Sequence, residues 1–527
     1  MSNDDTSEPD DHDPMTIGLS MSGGGYRATA WGLGALLALT DMRAAPAEGA
    51  TIPRVSMVAS VSGGSITNGD FGLGIDLATA DAAAVDARAA RLAPRLAGRR
   101  PFFLPVIGAM VLVHVILGVW GDGWIGNEVG RWAVASVVAA LVGVVVGRMS
   151  GDLLFGWWPV WVYVGVILAT ASGTVWILFG SLSLGQRLLV GIAGIAVLAI
   201  VLAPRPYVVQ RAMHSYLRGS GVNDPTLAGL GDGVVHVICT AEVSGSNLLY
   251  LGSGFAHNED YGSSVDVDRV PVAAAVQASS NLPGAFPIRW LSTARLGLTG
   301  GDAPPKRFLP VTDGGAYDNM GSQWFTGLER RITRMTASGG AAATIAGRLT
   351  PPDVVVIANA SGLGKTQWSP LVGIPLVGWV LGLLRIKTIL YEQTTASRRT
   401  SLVNDRFGRD DPPGALVHIT STPDALPRFL DRTAPTPATA RALAALDALG
   451  VTDWPAQARQ NAEVTTAFWP LPRTRISQVI QHAYLQTMVD MHVKFGTPLR
   501  VPPRAEFDRL VDGETRDVAP TSWITGT

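Results

Sequence analysis

Apolar positions recur along this chain in three rhythms, and each rhythm predicts a different kind of element. Short β-branched runs that stop abruptly read as buried strands. They lie at Met15–Met21, running into Ser22-Gly23-Gly24-Gly25; at 55–61, running into Ser62-Gly63-Gly64; at 234–241; at 308–312, entering Asp313-Gly314-Gly315; and at 353–360. Segments of helical composition or spacing lie at 28–39, after Ser62, at 270–278, at 439–449 and at 476–493. The third rhythm is a set of long uncharged stretches at 101–121, 132–147, 153–186 and 188–203, which predict four transmembrane helices. The second and fourth stretches fall short of the roughly 20 residues that cross a bilayer, so they are expected to extend into their flanks or to sit in a thinned membrane. An apolar run at 370–384 is shorter still and reads as an interfacial helix, a lid or core. The proline-punctuated stretch 400–440 reads as loop-rich.

Composition sharpens the membrane reading. Only 16% of the residues are charged and the mean hydropathy is +0.26, values that point to a membrane protein. The 527 residues allow two to four domains, at roughly 100 to 200 residues each. With 41 basic against 42 acidic residues, nothing suggests a basic surface for nucleic acid. The single cysteine, Cys239, excludes an intrachain disulfide framework and a cysteine-rich metal site, and fits a reducing compartment. Residues 1–14 carry six acidic side chains and no basic one; they read as a disordered tail and not as a signal peptide. Basic residues also orient the spans. Arg88, Arg91, Arg95, Arg99 and Arg100 precede the first run, Arg205, Arg211 and Arg218 follow the fourth, and Arg148 sits in the central loop. The two opposite loops hold only Arg131 and Arg187, beside Asp122 and Glu128. Four crossings would therefore leave both flanking parts of the chain in the cytoplasm.

The strand ends carry the candidate chemistry. Ser62 falls at a strand-to-helix corner, where a sharp turn thrusts a hydroxyl out of a sheet and a helix N-terminus faces developing negative charge. The usual Gly-x-Ser-x-Gly pattern is incomplete: Gly64 is present, but Ser60 stands in the first glycine position. A glycine-rich loop with incidental serines is the plainer alternative. The Gly23-Gly24-Gly25 loop between strand and helix suits an anion, either a phosphate or a catalytic oxyanion. It lacks the Gly-Lys-Ser/Thr ending of a P-loop and a full Gly-x-Gly-x-x-Gly. Asp313 ends a strand before two glycines, which suits either a general base or an ordinary Asp-Gly turn; Asp318 is its rival. None of the eight histidines lies in a motif. His236 and His257 read as structural, and His114, alone in the first span, as tolerated. No metal site and no cofactor is expected.

Four blocks in this order resemble the patatin-like phospholipases and the related cytosolic phospholipases: Gly-Gly-Gly-Tyr-Arg at 23–27, Ser-Val-Ser-Gly-Gly at 60–64, Ala-Ser-Ser-Asn-Leu-Pro-Gly-Ala-Phe-Pro at 278–287, and Asp-Gly-Gly at 313–315. The resemblance covers roughly 15–75 and 230–360 and leaves out the apolar stretches. It implies a three-layer α/β/α fold, a serine–aspartate dyad of Ser62 and Asp313, an oxyanion hole at Gly23, Gly24 and Gly25, and Arg27 as its supporting cation. On that reading the chain comprises the tail at 1–14, a first catalytic half at 15–80, a four-helix membrane insertion at 81–220, a second catalytic half at 221–365 and a C-terminal helical part at 366–527. The implied activity is hydrolysis of phospholipid or other glycerolipid esters at a bilayer. An acyltransferase with the same acyl-serine, a catalytically silent lipid-sensing scaffold, and a channel with a regulatory domain are the alternatives.

Overall fold

A computed structural model of the chain describes residues 14–45, 50–97, 205–218, 225–231, 233–283, 286–304, 306–362, 392–407, 413–464, 471–518 and 523–524. The acidic tail up to residue 13, the four long apolar runs, the run at 370–384, and Gly284 and Ala285 lie outside the described residues. Among the described residues, no helix is long and apolar enough to cross a membrane.

Each expected strand forms. β1 is Met15–Met21, β2 Pro53–Val61 and β3 Val235–Glu242. An antiparallel set follows, with β4 at Asn247–Gly252, β5 at Phe255–Asn258, β6 at Gly262–Ser264, β7 at Arg289–Ser292 and β8 at Thr299–Gly300. β9 is Phe308–Asp313, β10 Val354–Asn359 and β11 Gly414–His418. They make one mixed sheet. Its parallel part runs β11-β10-β1-β2-β3, and β4, β5, β6 and β8 extend it antiparallel. β9 pairs antiparallel with both β3 and β7.

The parallel strands are covered on both faces, which is why they read as continuous apolar runs. In β10, Val354, Val356 and Ala358 join one core while Val355 and Ile357 join a second on the opposite face. β2 alternates likewise, except at a register shift opposite Ile17 and Gly18 that brings Val55 and Val58 onto the same side. The first core is roofed by α1 (Gly25–Arg43), α2 (Gly63–Gly74), α3 (Ala82–Leu96) and α4 (Arg205–Arg218). The helix at 270–278 forms as α5 (Val272–Ser279), and the second core is closed by α6 (Leu328–Ser338). Helices therefore flank the sheet on both sides.

The stretch expected to be loop-rich holds β11 and α7 (Ala425–Thr433), followed by α8 (Pro437–Asp447). β11 is five residues long, and its place beside β10 comes from backbone pairing that a local pattern does not encode. α9 (Arg473–Phe495) lies against α1, which is buried from Gly25 to Met42. α1 has no polar, solvent-facing side because it is enclosed all round, and its polar residues from Arg27 to Asp41 are buried.

The two flanks of the apolar region meet in the folded domain. Arg91 and Arg95 of α3 lie 5.5 and 5.9 Å from the centroid of the Tyr216 ring of α4. Arg88 is a folding residue: buried, it forks onto Asp70 of α2 at 2.9 and 2.6 Å.

One buried charge cluster ties the C-terminal region to this layer. Arg516 donates to Asp41 of α1 at 2.8 and 3.0 Å and to Asp86 of α3 at 2.6 and 2.8 Å. Tyr484 of α9 donates to Asp41 at 2.7 Å. Burial pushes the Asp86 carboxyl up to about 6, against the opposing pull of Arg516. Taking away Arg516 leaves Asp86 without its ion-pair partner and Asp41 with Arg500 as its remaining one in a dry site, so Arg516→Ala should cost about 3–5 kcal/mol in denaturant unfolding at neutral pH. A raised carboxyl pKa means the folded state holds its proton more firmly than the unfolded chain, so stability from that group is present at low pH and is lost as pH rises through about 6. The deficit of Arg516→Ala should accordingly shrink as the pH is lowered toward that value; a deficit independent of pH would mean that the carboxylates have found other partners.

Candidate active site

Ser62 and Asp313 come together because two strands share one edge of β3. β2 runs parallel to β3 and ends with Val61 opposite Cys239; β9 runs antiparallel and ends with Asp313 opposite Thr240. Cys239 and Thr240 are consecutive, so the two strand ends abut. Residues 251 positions apart in sequence thereby face one another, and Ser62 Oγ donates to Asp313 Oδ2 at 2.8 Å. The other carboxylate oxygen, Oδ1, accepts from the Gly315 N–H at 2.8 Å, which fixes the carboxyl plane. Both side chains are buried, Ser62 at 6% and Asp313 at 4% exposure.

The backbone at Ser62 has φ 50° and ψ −120°, in the half of the map that non-glycine residues avoid. Such a conformation costs of order 1–3 kcal/mol and persists only where the surroundings hold it. Two features hold it. A methyl group on Gly63 would collide with the Gly25 carbonyl, and one on Gly64 would lie 2.7 Å from the Met21 carbonyl, so the β1–α1 loop packs directly against the turn. Ser279, at the end of α5, supplies the second hold: its Oγ accepts from the Ser62 N–H at 2.9 Å and donates to the Cys239 carbonyl at 2.6 Å. The same segment also grips the aspartate loop. Asp313 N–H donates to the Asn281 carbonyl at 3.1 Å and Gly314 N–H to the Ser279 carbonyl at 3.1 Å.

Ser60, in the position of the missing glycine, crowds nothing. Its hydroxyl lies in a buried polar knot, donating to Ser65 Oγ at 3.1 Å and accepting from Asn68 Nδ2 at 2.8 Å. Ser65 in turn lies 3.0 Å from Ser279 Oγ. Ser60 and Ser65 are thus turned away into structure, and Ser62 alone of the three faces a carboxylate. Asp318 is equally committed. It accepts from the backbone N–H of Met320 at 3.1 Å and of Gln323 at 2.6 Å, bracing the loop after Asp313.

The glycine loop departs in part from expectation. Gly24 has φ 139°, a conformation that side chains resist, and it opens α1 without a side-chain cap. The first-turn N–H groups of a helix have no acceptor within the helix, so the amides from Gly24 onward are suited to an anion. Gly23 is spoken for: its N–H donates to the Asn319 carbonyl at 2.8 Å. Its lack of a side chain still matters, because a Cβ there would lie 3.2 Å from Ser62 Cβ and would strike the Asn319 carboxamide. Arg27 Nη1 donates to the carbonyls of Ala462 and Val464, at 3.0 and 2.5 Å. It is a buried strut between α1 and the C-terminal part, which the sequence pattern gave no means of pairing with it.

The histidines nearest these blocks are held elsewhere. His236 Nδ1 lies 2.7 Å from Asn68 Oδ1 and His257 Nδ1 lies 2.8 Å from Ser263 Oγ. Burial lowers both rings to about 4, so both are neutral near pH 7. Among the described residues no group of His, Cys, Asp and Glu could hold a metal ion. Ser279 and Asn319 are the site residues that motif reading left without a role. Ser279 stands inside the 278–287 block and Asn319 four residues after the Asp-Gly-Gly block, but the role of each depends on which distant amide it meets. Asn319 Nδ2 donates to Ser361 at 2.8 Å, while its buried Oδ1, beside Gly23, has no hydrogen-bond partner among the described residues.

No protein-family model and no curated protein matches this chain. The local geometry carries its own test. Ser279→Ala removes the acceptor for a buried, strained amide, and leaving such a donor unsatisfied costs about 1–3 kcal/mol. We expect that loss in denaturant unfolding, together with faster hydrogen exchange at the Ser62 amide. Unchanged exchange there would show that Ser279 does not hold the turn.

Proposed function

We propose that this protein is a serine acyl hydrolase that cleaves the ester bonds of phospholipids or other glycerolipids, with Ser62 as nucleophile and Asp313 as its base. The observation that carries the reading is the 2.8 Å hydrogen bond from the Ser62 hydroxyl to Asp313 at a turn of positive φ. A serine hydroxyl is a weak nucleophile until a base takes its proton, and a carboxylate within hydrogen-bond reach in a poorly hydrated site can do so. In the acylation step Ser62 Oγ bonds to the ester carbonyl carbon while its proton passes to Asp313 Oδ2. The carbonyl oxygen becomes an oxyanion, for which the amides of Gly24 and Gly25 are the available donors. When the tetrahedral adduct collapses, the alcohol part of the ester leaves and takes the proton from Asp313. Water then attacks the acyl-serine, gives its proton to Asp313, and frees the fatty acid as the proton returns to Ser62. Gly23 enters through its missing side chain and Arg27 through the carbonyls it fastens. The resemblance to the patatin-like phospholipases favours this reading over other serine chemistry, and the neutral, hydrogen-bonded histidines leave the base role to the carboxylate.

The apolar runs belong to the same proposal as a membrane anchor inserted in the catalytic domain. What supports an even number of crossings is that α3 before the runs and α4 after them pack together in one core. The arginine distribution then puts that core in the cytoplasm.

Fluorophosphonate labelling followed by lipid-substrate profiling tests the chemistry. Ser62→Ala should abolish labelling, whereas Ser60→Ala and Ser65→Ala should retain it. Asp313→Asn should fold and lose about 10²- to 10⁴-fold in turnover, the usual range for general-base help. Near-normal turnover in Asp313→Asn would assign the base elsewhere. Turnover lost in wild type against water but gained against an alcohol acceptor would make the enzyme an acyltransferase.

Topology has a separate test. In a Cys239→Ser background, Gly123→Cys should react with an impermeant thiol reagent from outside and Gly151→Cys should not. The reverse pattern would overturn the orientation.

A further inference from the structure

We infer that the β7–β9 pair, together with Tyr207 at the start of α4, is a bilayer-docking surface that sets the Ser62–Asp313 end of the sheet against lipid headgroups. The inference takes its purpose from the lipid-ester reading above, but docking itself would stand without hydrolysis.

Pairing register fixes what the surface presents. Trp290 lies opposite Pro310 and Phe308 opposite Ser292, so these share one face of the ribbon. Arg289, Leu309 and Val311 alternate onto the other face and are buried. The outer face is apolar and open: Trp290 is 55% exposed, the preceding Ile288 48%, and Phe308 42%. Tyr207, 51% exposed, flanks the ribbon on its other side, where the Arg289 guanidinium lies 5.0 Å from its ring centroid and donates to Gln210 of the same helix. Of the four large exposed aromatic side chains among the described residues, Trp290 and Phe308 share this face and Tyr207 flanks the same ribbon, the fourth being Phe429.

Position follows from the same register. Val311 pairs with Glu242, the last residue of β3, so Phe308 stands three residues past the C-terminal edge of β3 and five residues from Asp313, about 17 Å beyond the dyad at the usual rise per residue. That edge is the one on which Ser62 sits. The ribbon thus projects past the dyad end of the sheet, and a surface that meets its tip covers that end.

The occupant is argued from chemistry and from chain continuity. α4 begins at Arg205, directly after the uncharged run 188–203, so the chain reaches Tyr207 from the most apolar part of the sequence. Aromatic side chains bordered by cations are what a membrane–water interface selects. Within 286–304 and 306–308 the exposed charged residues are Arg295, Lys306 and Arg307 against Asp302, and Arg307 lies 5.3 Å from the Phe308 ring centroid. Behind the patch, Arg289 also donates to Gln277, whose Nε2 donates to Asn281 Oδ1 at 3.0 Å. Asn281 is the residue whose carbonyl receives the Asp313 amide, so a docked hairpin and the aspartate loop share one polar frame.

The test uses the full chain with Cys239→Ser, spin-labelled at Trp290→Cys, Phe308→Cys or, as an exposed control, Gly450→Cys. The protein is reconstituted into vesicles of phosphatidylcholine with phosphatidylglycerol. The oxygen-to-nickel-chelate accessibility ratio should be several-fold higher at 290 and 308 than at 450, and should fall toward the control value in detergent. Equal ratios at all three positions would overturn the proposal. So would spin–spin broadening between labels at 290, which would put a second copy of the chain on the patch. Each measurement is repeated with Ser62→Ala: docking that persists while wild type takes no fluorophosphonate would sink the hydrolase reading alone, and labelling without docking would sink this one alone.

Discussion

The site depends on a single constraint, the edge of β3. A parallel strand and an antiparallel strand cannot both lie along the whole of one edge, so β2 and β9 run toward each other and stop where they meet, and the chain must turn sharply at both ends. Ser62 and Asp313 occupy those ends. Backbone hydrogen bonds set the meeting point to within one residue, because a slip of one position would send every alternate side chain to the opposite face and break two cores at once. Precision in the dyad is therefore inherited from the packing of the sheet.

Around that constraint the molecule spends polar groups in place of bulk. The α5 end offers one hydroxyl and two carbonyls, and these receive the amides of Ser62, Asp313 and Gly314. Serine, threonine and asparagine side chains fill the buried space beneath the turn, with His236 closing the network through Asn68. Buried hydrogen-bonded networks of this kind favour one arrangement, since each member left unpaired is costly in a dry interior. The strained backbone of Ser62 persists because its alternatives would strand an amide or drive Gly63 into the Gly25 carbonyl.

A second network acts at a distance. Asp41, Asp86, Arg516, Arg500 and Tyr484 join α1, α3, α9 and the C-terminal segment in one charged cluster. It fastens the helical layer that supports the glycine loop, while Arg27 fastens the same helix to the chain near Val464. The C-terminal part is thus an integral wall of the layer that carries the candidate site, a role that its composition of ordinary soluble helices does not suggest.

The sequence by itself determined the elements with strong local signatures. β1, β2, β3 and β10 were legible because strands covered on both faces are continuously apolar, β9 because its run stops at Asp313-Gly314-Gly315, and Gly24, Gly63 and Gly64 marked a positive φ and close approaches that favour glycine. The corner position singled out Ser62 as the candidate, and in the structure its hydroxyl meets Asp313. Tertiary structure decided the rest, for one physical reason: those features depend on contacts between residues far apart in the chain. Strands β4 to β8 and β11 are short and take their definition from neighbours, so no period betrays them. Gly23 lost its expected role as donor when the Asn319 carbonyl took its amide, Arg27 turned to carbonyls more than 400 positions away, and Ser279 became the keeper of the Ser62 turn. A local pattern records what a residue can do; which distant partner it meets is set by the register of the sheet.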